Sequence, residues 1–208
     1  MDMLDNKLHV LEKSEIDDAA SLLAHSFSNS PLYQYVFGQD FSNFAKWYFS
    51  CLLKCYFTNR EIKIICIGRP IKSICIYSLP SSKKVSLWGF AKAGYYQLPF
   101  RTSIQNIKRL MLISKLRNDH KKQAAFSNVN GIYVDILAVD PRYQGQGFGR
   151  QLFQYVANQV HQTHLMTETT NNVEFYKNLG CYLERKEQVA RSSLLLYHMI
   201  YNNITLVS

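Results

Sequence analysis

The chain has 208 residues, of which 47% are hydrophobic and 19% are charged, and this composition excludes a disordered or low-complexity protein. We expect a single domain that spans residues 1–208. The first residues lack the basic and apolar regions of a secretory signal, and no apolar run approaches the roughly 20 residues of a membrane-spanning helix. We therefore expect a soluble, cytoplasmic protein that does not bind a membrane.

Charge and cysteine content limit the partners further. The net charge of +9 suggests an anionic partner, which could be a nucleic acid, an acidic surface or a polyphosphorylated cofactor. The five cysteines are an odd number without a CxxC pair, which favours reduced, buried thiols over disulfides or a zinc site. His161 and His164 lie close in sequence without a cysteine or carboxylate cluster, so we predict surface histidines and no metal site.

The N-terminal half begins with a short strand followed by an amphipathic helix. A second, aromatic-rich helix is predicted over residues 41–57. The β-branched runs at 61–68 and 71–80 are separated by "RP" and predict two antiparallel strands joined by a turn. Residues 81–101 show no clear period, and we predict a loop there.

A basic helix is predicted next, over residues 106–123. It carries six Lys or Arg residues against one Asp, with apolar residues at helical spacing. A solvated helix face explains this pattern better than a nucleic-acid surface, because no recognisable DNA- or RNA-binding motif accompanies it. If nucleic acid did bind here, the cations would be Lys108, Arg109, Lys115 and Arg117.

The C-terminal half is predicted to begin with a strand at 132–139, followed by a glycine-rich turn and a helix to about residue 161. An alternating stretch, "HLMTETT", predicts another strand, and "NNVEFYKNL" predicts a short helix that Gly180 ends. Two closing strands follow, near 181–188 and 191–201. Helices and strands in this order predict an α/β (α+β) fold with a mixed sheet.

The turn "YQGQGFGRQL" has glycine at three alternate positions. A strand that enters a helix through such a turn presents main-chain N–H groups and the positive end of the helix dipole to a phosphate. The turn lacks the Gly-Lys-Ser/Thr ending of a kinase loop, and counting from Gly145 the sixth residue is Arg150, where a dinucleotide-binding turn has glycine. A tight strand-to-helix connection explains one glycine but hardly three.

Two segments carry a family resemblance. Gln144, Gly147 and Gly149 match a Q/R-x-x-G-x-G/A motif, and "TNNVEFYKNLGCYL" is similar to an Asn…Phe-Tyr…Leu-Gly-Phe segment, with Cys181 in place of Phe. Both resemble the GNAT superfamily of N-acetyltransferases, and residues 19–38 resemble its puromycin-acetyltransferase-like branch. The resemblance implies a central, mostly antiparallel sheet flanked by helices, and acetyl-CoA as co-substrate.

The resemblance also implies a cofactor site. The pyrophosphate would lie on the turn and the pantetheine arm along the preceding strand, with an asparagine nearby; the residues are Leu137, Ala138, Val139, Gln144, Gly145, Gln146, Gly147, Phe148, Gly149, Arg150 and Asn172. Arg150 could instead face solvent, and an asparagine at this position can equally have a structural role.

Asp135 and Tyr176 are the candidate catalytic residues. Asp135 interrupts an otherwise almost wholly apolar strand, where an unpaired carboxylate is costly to bury, and the resemblance assigns a base to it; pairing with an Arg or Lys is the structural alternative. Tyr176 would protonate the departing thiolate, or would simply pack.

The sequence thus predicts an acetyl-CoA-dependent N-acetyltransferase that acts by direct attack of a primary amine in a ternary complex. The acceptor would be a small-molecule or protein amine. A non-catalytic acyl-CoA sensor and a nucleic-acid-binding protein are the alternatives, the second of them disfavoured.

Overall fold

Seven strands form one mixed sheet in the order β1-β2-β3-β4-β5-β7-β6. The computed structural model describes residues 5–79, 82, 86–127 and 131–203. The strands are β1 (Asp5–Val10), β2 (Ile62–Arg69), β3 (Ser73–Ser78), β4 (Gly131–Val139), β5 (Gln162–Thr167), β6 (Tyr182–Gln188) and β7 (Leu195–Asn202). Every neighbouring pair is antiparallel except β4 with β5. The predicted mixed, mostly antiparallel sheet is therefore confirmed.

The helices connect these strands and cover both faces of the sheet. They are α1 (Ile16–Ser26), α2 (Pro31–Phe37), α3 (Phe41–Phe57), α4 (Leu87–Lys92), α5 (Ile104–Ser127), α6 (Phe148–Ala157) and α7 (Thr170–Lys177). Helix α6 ends at Ala157, four residues before the predicted end, because a turn intervenes before β5.

Two hydrophobic cores lie on opposite faces of the sheet. Ile64 and Cys66 of β2 face a core shared with α1, α2, α3 and α5, while Ile65 and Ile67 face a core shared with α6 and α7. This is the alternation that a strand buried on both faces must have. All five cysteines are free and buried, as the sequence predicts.

A β-bulge interrupts β4 at Asp135. Ile76 of β3 is opposite Ile136, whereas the next residue, Tyr77, is opposite Val134, so Asp135 is the extra residue. The bulge reverses the alternation: Val134 belongs to the α6–α7 core and Ile136 to the opposite one. An extra residue of this kind redirects side chains and is frequent beside active sites.

Residues 81–101 differ from the predicted loop where the structure describes them. They include α4 and a 3-10 helix, Tyr95–Phe100. Part of that prediction, at residues 81 and 83–85, lies outside the described residues. Within the described part of the chain, none of the helices is long and apolar enough to cross a membrane.

The prediction of a surface position is wrong for His164. Its exposed fraction is 2%, because β5 directs this side chain under α5, against His120. Burial lowers the pKa of His120 to about 3 and that of His164 to about 4. Both rings are therefore neutral at physiological pH. His161 is half-buried.

Candidate active site

The sheet opens between its two parallel strands. Residues 131–134 of β4 pair with residues 162–165 of β5, and the described pairing ends there. Beyond residue 134, β4 continues to pair with β3 along its opposite edge. A cleft of about 500 Å³ lies where the two strands diverge, next to the glycine-rich turn.

The cleft collects nearly all of the predicted cofactor residues. Of these, Leu137, Ala138, Val139, Gln144, Gly145, Gly147, Phe148, Gly149, Arg150 and Asn172 line it, together with Ser26, Phe27, Tyr143, Phe175 and Tyr176. The remaining predicted residue, Gln146, lies in the turn, is exposed and does not line the cleft. Arg150 lines the cleft but is itself exposed.

The three glycines of the turn have two different physical reasons. Gly145 and Gly147 have φ values of 77° and 86°, a region that disfavours any residue with a Cβ atom. A Cβ atom on Gly149 would lie 3.3 Å from Val139 Cγ2 and 3.4 Å from Phe175 Cζ. The first two glycines shape the turn, and the third allows α6 to pack closely against β4.

Helix α6 starts immediately after this turn, with Gly147 as its N-cap residue. Because the first N–H groups of a helix have no partner within the helix, they and the helix dipole point toward the cleft as an anion-binding surface. The side chain of Gln144 donates to the carbonyl of Val139 at 3.4 Å, and this hydrogen bond links the turn to the end of β4.

A smaller cavity of about 60 Å³ adjoins the cleft on the inner side. The two share Phe27, Leu137, Asn172 and Tyr176 as wall residues. The other residues of the cavity are Leu32, Tyr33, Arg117, Val134, Asp135, Ile136, Leu165, Met166, Thr167 and Glu168. One basic and two acidic side chains from separate parts of the chain, Arg117, Asp135 and Glu168, therefore meet in this inner cavity.

Asp135 is held by an ion pair. Its carboxylate is 2.7 Å from Lys121 Nζ of α5 and accepts a hydrogen bond from the hydroxyl of Ser78 at 3.0 Å. The Asp135 side chain is 2% exposed and that of Lys121 is 16% exposed. This ion pair is the structural role that the sequence offers for Asp135 as the alternative to catalysis. The carboxylate nevertheless borders the inner cavity. Its catalytic role stays a prediction.

Tyr176 stands between the cleft and the inner cavity and contributes to both walls. Its ring packs edge-on against Phe153, with 5.5 Å between the centroids, and burial raises the pKa of its phenol well above the ordinary value. Neighbouring Asn172 donates from Nδ2 to the hydroxyl of Thr167 at 3.0 Å, which anchors the start of α7 to the end of β5. The phenol is thus kept protonated at the junction.

Glu168 is the residue that the sequence analysis missed. It follows β5, borders the inner cavity and accepts a hydrogen bond from the Ser30 hydroxyl at 2.7 Å. Burial raises the pKa of Glu168, and the Ser30 hydrogen bond and the charge of Arg117 offset only part of that rise. One signal in the sequence could have indicated Glu168. It directly follows the alternating stretch that forms β5, the strand that lies parallel to β4 with its Asp135.

The comparisons with known proteins agree with this geometry. Residues 114–180 match the family model described as "Acetyltransferase (GNAT) domain". No curated protein matches the sequence. The matched segment contains β4, the glycine turn, α6, β5 and α7.

Solved structures share the fold at low sequence identity. A Corynebacterium glutamicum protein described as "histone acetyltransferase HPA2 and related acetyltransferase" has 13% identity and a TM-score of 0.61, with 95% of this chain and 97% of that chain covered. The polyamine N-acetyltransferase of Drosophila melanogaster has 14% identity and a TM-score of 0.59, covering 95% and 99%. A Thermoplasma acidophilum N-acetyltransferase in complex with coenzyme A has 11% identity and a TM-score of 0.56, covering 95% and 98%.

The puromycin-acetyltransferase-like branch stays a prediction, since these findings do not bear on it. Residues 114–180 thus match the model of a GNAT acetyltransferase domain, and the chain shares its sheet and helix arrangement with N-acetyltransferases of known structure.

Proposed function

We propose that this protein is an acetyl-CoA-dependent N-acetyltransferase that transfers an acetyl group to a primary amine by direct attack in a ternary complex. One observation carries the proposal: the anion-binding cleft at the start of α6 is continuous in its walls with a small cavity that contains ionisable side chains. Such a site can hold a phosphorylated donor on one side and present a titratable group to the acceptor on the other.

The residues of the cleft fit acetyl-CoA. The turn with positive φ at Gly145 and Gly147 offers main-chain N–H groups to a pyrophosphate, and Leu137, Ala138 and Val139 supply the strand edge along which the pantetheine arm would lie. When bound, acetyl-CoA supplies an activated acetyl thioester. Arg150 is placed to approach a phosphate group from the rim of the cleft.

The donor supplies the activated acetyl group, whereas side chains of the protein must transfer the protons. A primary amine has a pKa of roughly 10 and is protonated at neutral pH, so a base must take its proton. Glu168 and Asp135 both border the inner cavity, but only Asp135 is neutralised by a lysine at ion-pair distance. We therefore assign the base role first to Glu168, and Asp135 remains the second candidate.

Tyr176 is proposed as the acid that protonates the leaving thiolate. It borders both spaces, and its phenol is protonated because burial raises its pKa. Some structural neighbours are an agmatine N-acetyltransferase and chimeras of a spermidine N-acetyltransferase. These names support an amine as acceptor here, either a small molecule or an amino group of a protein.

The donor is tested first, because that test does not require the acceptor. Thermal unfolding is measured with and without acetyl-CoA, with ADP as the matched nucleotide control. At 100 times its Kd a ligand adds about 2.7 kcal/mol of stability, which for this chain length raises the Tm by roughly 5–10 °C. Absence of a rise at millimolar acetyl-CoA, or an equal rise with ADP, contradicts the proposal.

Turnover is then measured as release of the CoA thiol across a panel of primary amines. We expect amine-dependent release that Tyr176→Phe and Glu168→Gln reduce. Asp135→Asn should reduce it mainly through stability, because Asp135 pairs with Lys121, and a larger loss would favour Asp135 as the base. A protein that binds acetyl-CoA but releases no thiol with any amine would instead be the non-catalytic acyl-CoA sensor.

A further inference from the structure

Three histidines form a buried cluster on the face of the sheet that α5 covers. His120 of α5, His164 of β5 and His198 of β7 are exposed by 1%, 2% and 0%. The centroid of the His120 ring is 4.1 Å from that of His198 and 6.0 Å from that of His164. These three side chains, called here the histidine cluster, do not line the cleft or the inner cavity.

The hydrogen bonds around His164 determine which of its nitrogens carries the proton. Gln162 donates from its amide nitrogen to Asn202 Oδ1 at 2.8 Å, so its amide oxygen faces His164. That oxygen lies 2.6 Å from His164 Nε2 and can only accept, which places the proton on Nε2. Nδ1 therefore carries a lone pair, and among the described residues this buried atom has no hydrogen-bond partner.

His198 has the same arrangement. Its Nε2 lies 3.2 Å from the carboxylate of Glu187, which can only accept when ionised. Its Nδ1 is buried and likewise finds no partner in the part of the chain that the structure describes. Leaving a buried acceptor unsatisfied is destabilising. The lone pair of His164 Nδ1 points to an electron-pair acceptor, for which a metal ion is the usual choice. His198 does not belong to the residues whose ligand atoms could share one ion.

A carboxylate completes the cluster by way of a second β-bulge. Leu183 of β6 is opposite Met199, whereas Arg185 is opposite His198, so Glu184 is the extra residue between them. Its carboxylate reaches His120, with 3.1 Å between Oε2 and Nε2. The ligand atoms of His120, His164 and Glu184 all lie within 4.8 Å of one another.

We propose that His120, His164 and Glu184 form a binding site for a divalent zinc ion. Two imidazoles and one carboxylate are a known zinc ligand set that leaves the fourth tetrahedral position to water. Zn–N and Zn–O bonds of about 2.0–2.2 Å place tetrahedral ligand atoms roughly 3.3–3.5 Å apart, so the atoms need only a short approach.

The surroundings of the site have the outer hydrogen bonds that zinc-binding histidines use. His120 Nδ1 is 3.2 Å from the Tyr133 hydroxyl, and His164 Nε2 donates to Gln162. Partners on the second ring nitrogen hold the ring in position and direct the first nitrogen to the metal. His164 therefore has Nε2 anchored and Nδ1 available, whereas His120 has Nδ1 anchored and would exchange the contact of Nε2 with Glu184 for the metal.

The site would join three elements, of which α5 and β6 are already linked by the contact between His120 and Glu184. It connects α5 to β5 and to the edge strand β6, and α5 carries Arg117 and Lys121 toward the inner cavity. The bound ion would thus hold α5 over the sheet. This inference does not depend on the proposed acetyl transfer.

Zinc binding is tested on the full chain after treatment with EDTA, by titration of Zn²⁺ against a chromophoric chelator. We expect one equivalent of Zn²⁺ per chain and, at 100 times the Kd, a Tm rise of roughly 5–10 °C. Co²⁺ substituted for zinc should give the intense visible bands of a tetrahedral ion. Glu184→Gln and His164→Asn should weaken binding by at least the roughly 10- to 100-fold that follows loss of an outer-shell partner.

His161→Asn is the matched control, since His161 lies on the same segment but outside the cluster, and it should bind Zn²⁺ like the wild type. The Glu184 side chain is 43% exposed, so Glu184→Gln gives a folded variant even if His164→Asn does not fold. Absence of stoichiometric Zn²⁺ binding by the wild type overturns the proposal. Unchanged affinity in Glu184→Gln overturns it equally.

Discussion

At the scale of single residues, the proposed function makes Glu168 the base that takes the proton of the acceptor amine. We predict that Glu168→Gln lowers kcat by about 10²- to 10⁴-fold, the usual contribution of a general base. Because burial raises the pKa of Glu168, wild-type kcat/KM should be retained above that pKa and lost as the pH falls through it. The acid limb of the pH profile should therefore lie above the value of about 4.3 of an ordinary glutamate.

Glu174→Gln is the control for that variant. Glu174 lies on α7, close in sequence, but its side chain is 65% exposed and pairs at the surface with Lys177. Its kcat and pH profile should match those of the wild type. If the acid limb of the kcat/KM profile is unchanged in Glu168→Gln but absent in Asp135→Asn, then Asp135 is the base.

The ion pair of Asp135 with Lys121 makes a separate prediction about stability. Lys121→Met leaves a carboxylate that is 2% exposed without its cation, and loss of one partner of a buried pair costs about 3–5 kcal/mol. Urea unfolding should show this loss. Lys122→Met, on the same helix but 63% exposed and 4.0 Å from Asp119, should change the free energy of unfolding by less than about 0.5 kcal/mol.

The double variant Lys121→Met/Asp135→Leu separates stability from catalysis. Replacing both members of a buried pair with apolar residues is often neutral, so the double variant should recover most of the lost stability. A cost below about 1 kcal/mol for Lys121→Met alone would mean that the pair is solvated and that Asp135 is freer to act as a base.

At the scale of elements, the sequence predicted what depends on local pattern. The periodicities of α3, β2, β3 and the segment from β4 to α7 located these elements, and the glycine turn located the cleft. The β-bulges at Asp135 and Glu184 were not predictable in this way, since a bulge is defined by the register of a neighbouring strand. Asp135 attracted attention as the one charge in an apolar strand, whereas its partner Lys121 looked like one more cation of a basic helix.

The elements that were missed are short. Helix α4 has six residues, and so brief a helix produces hardly more than one turn of the 3.6-residue pattern. Its N-cap is visible only in the structure, where the hydroxyl of Ser86 accepts from the N–H of Gly89 at 3.1 Å. Glu168 was missed for a related reason, because its meaning depends on β5 lying parallel to β4 rather than on its own neighbours in sequence.

The glycine turn gives a prediction for the proposed donor site. Gly147→Ala forces an alanine to φ near 86°, which costs about 1–2 kcal/mol. No atom lies within 4 Å of the added Cβ, so the methyl group would project into space available to the cofactor. We expect a modest loss of stability together with a higher KM for acetyl-CoA, measured by steady-state kinetics.

Gly180→Ala is the matched control. Gly180 also has a positive φ, 92°, but it follows α7 and does not line the cleft. It should reduce the free energy of unfolding by a similar amount and leave the KM for acetyl-CoA unchanged. Equal KM values in the two variants would contradict a cofactor site at the turn.

At the scale of the whole molecule, the charge of +9 is less available than the sequence suggests. Of the four cations of the nucleic-acid alternative, Arg117 borders the inner cavity and Arg109 donates to the Tyr35 carbonyl at 3.2 Å. Lys108 and Lys115 alone of the four are exposed. Because two of these four cations are engaged inside the protein, the position of α5 favours a role in the active site over nucleic-acid binding.

The two cores should unfold together, because they share the strands between them. Strand β2 places Ile64 and Cys66 in one core and Ile65 and Ile67 in the other, so the loss of either core removes the support of the same backbone hydrogen bonds. The predicted single domain should therefore show one cooperative transition in urea.

Buried thiols report on each core separately. Cys66 lies in the core with α1, α2, α3 and α5, whereas Cys75 and Cys181 lie in the core with α6 and α7. Burial raises the pKa of all three thiols, and they should react with iodoacetamide only after unfolding. We predict that pulse labelling, resolved by peptide mass spectrometry, gives the same urea midpoint for Cys66 as for Cys75 and Cys181. Two separated midpoints would instead mean that the faces of the sheet unfold independently, and the single-domain description would fail.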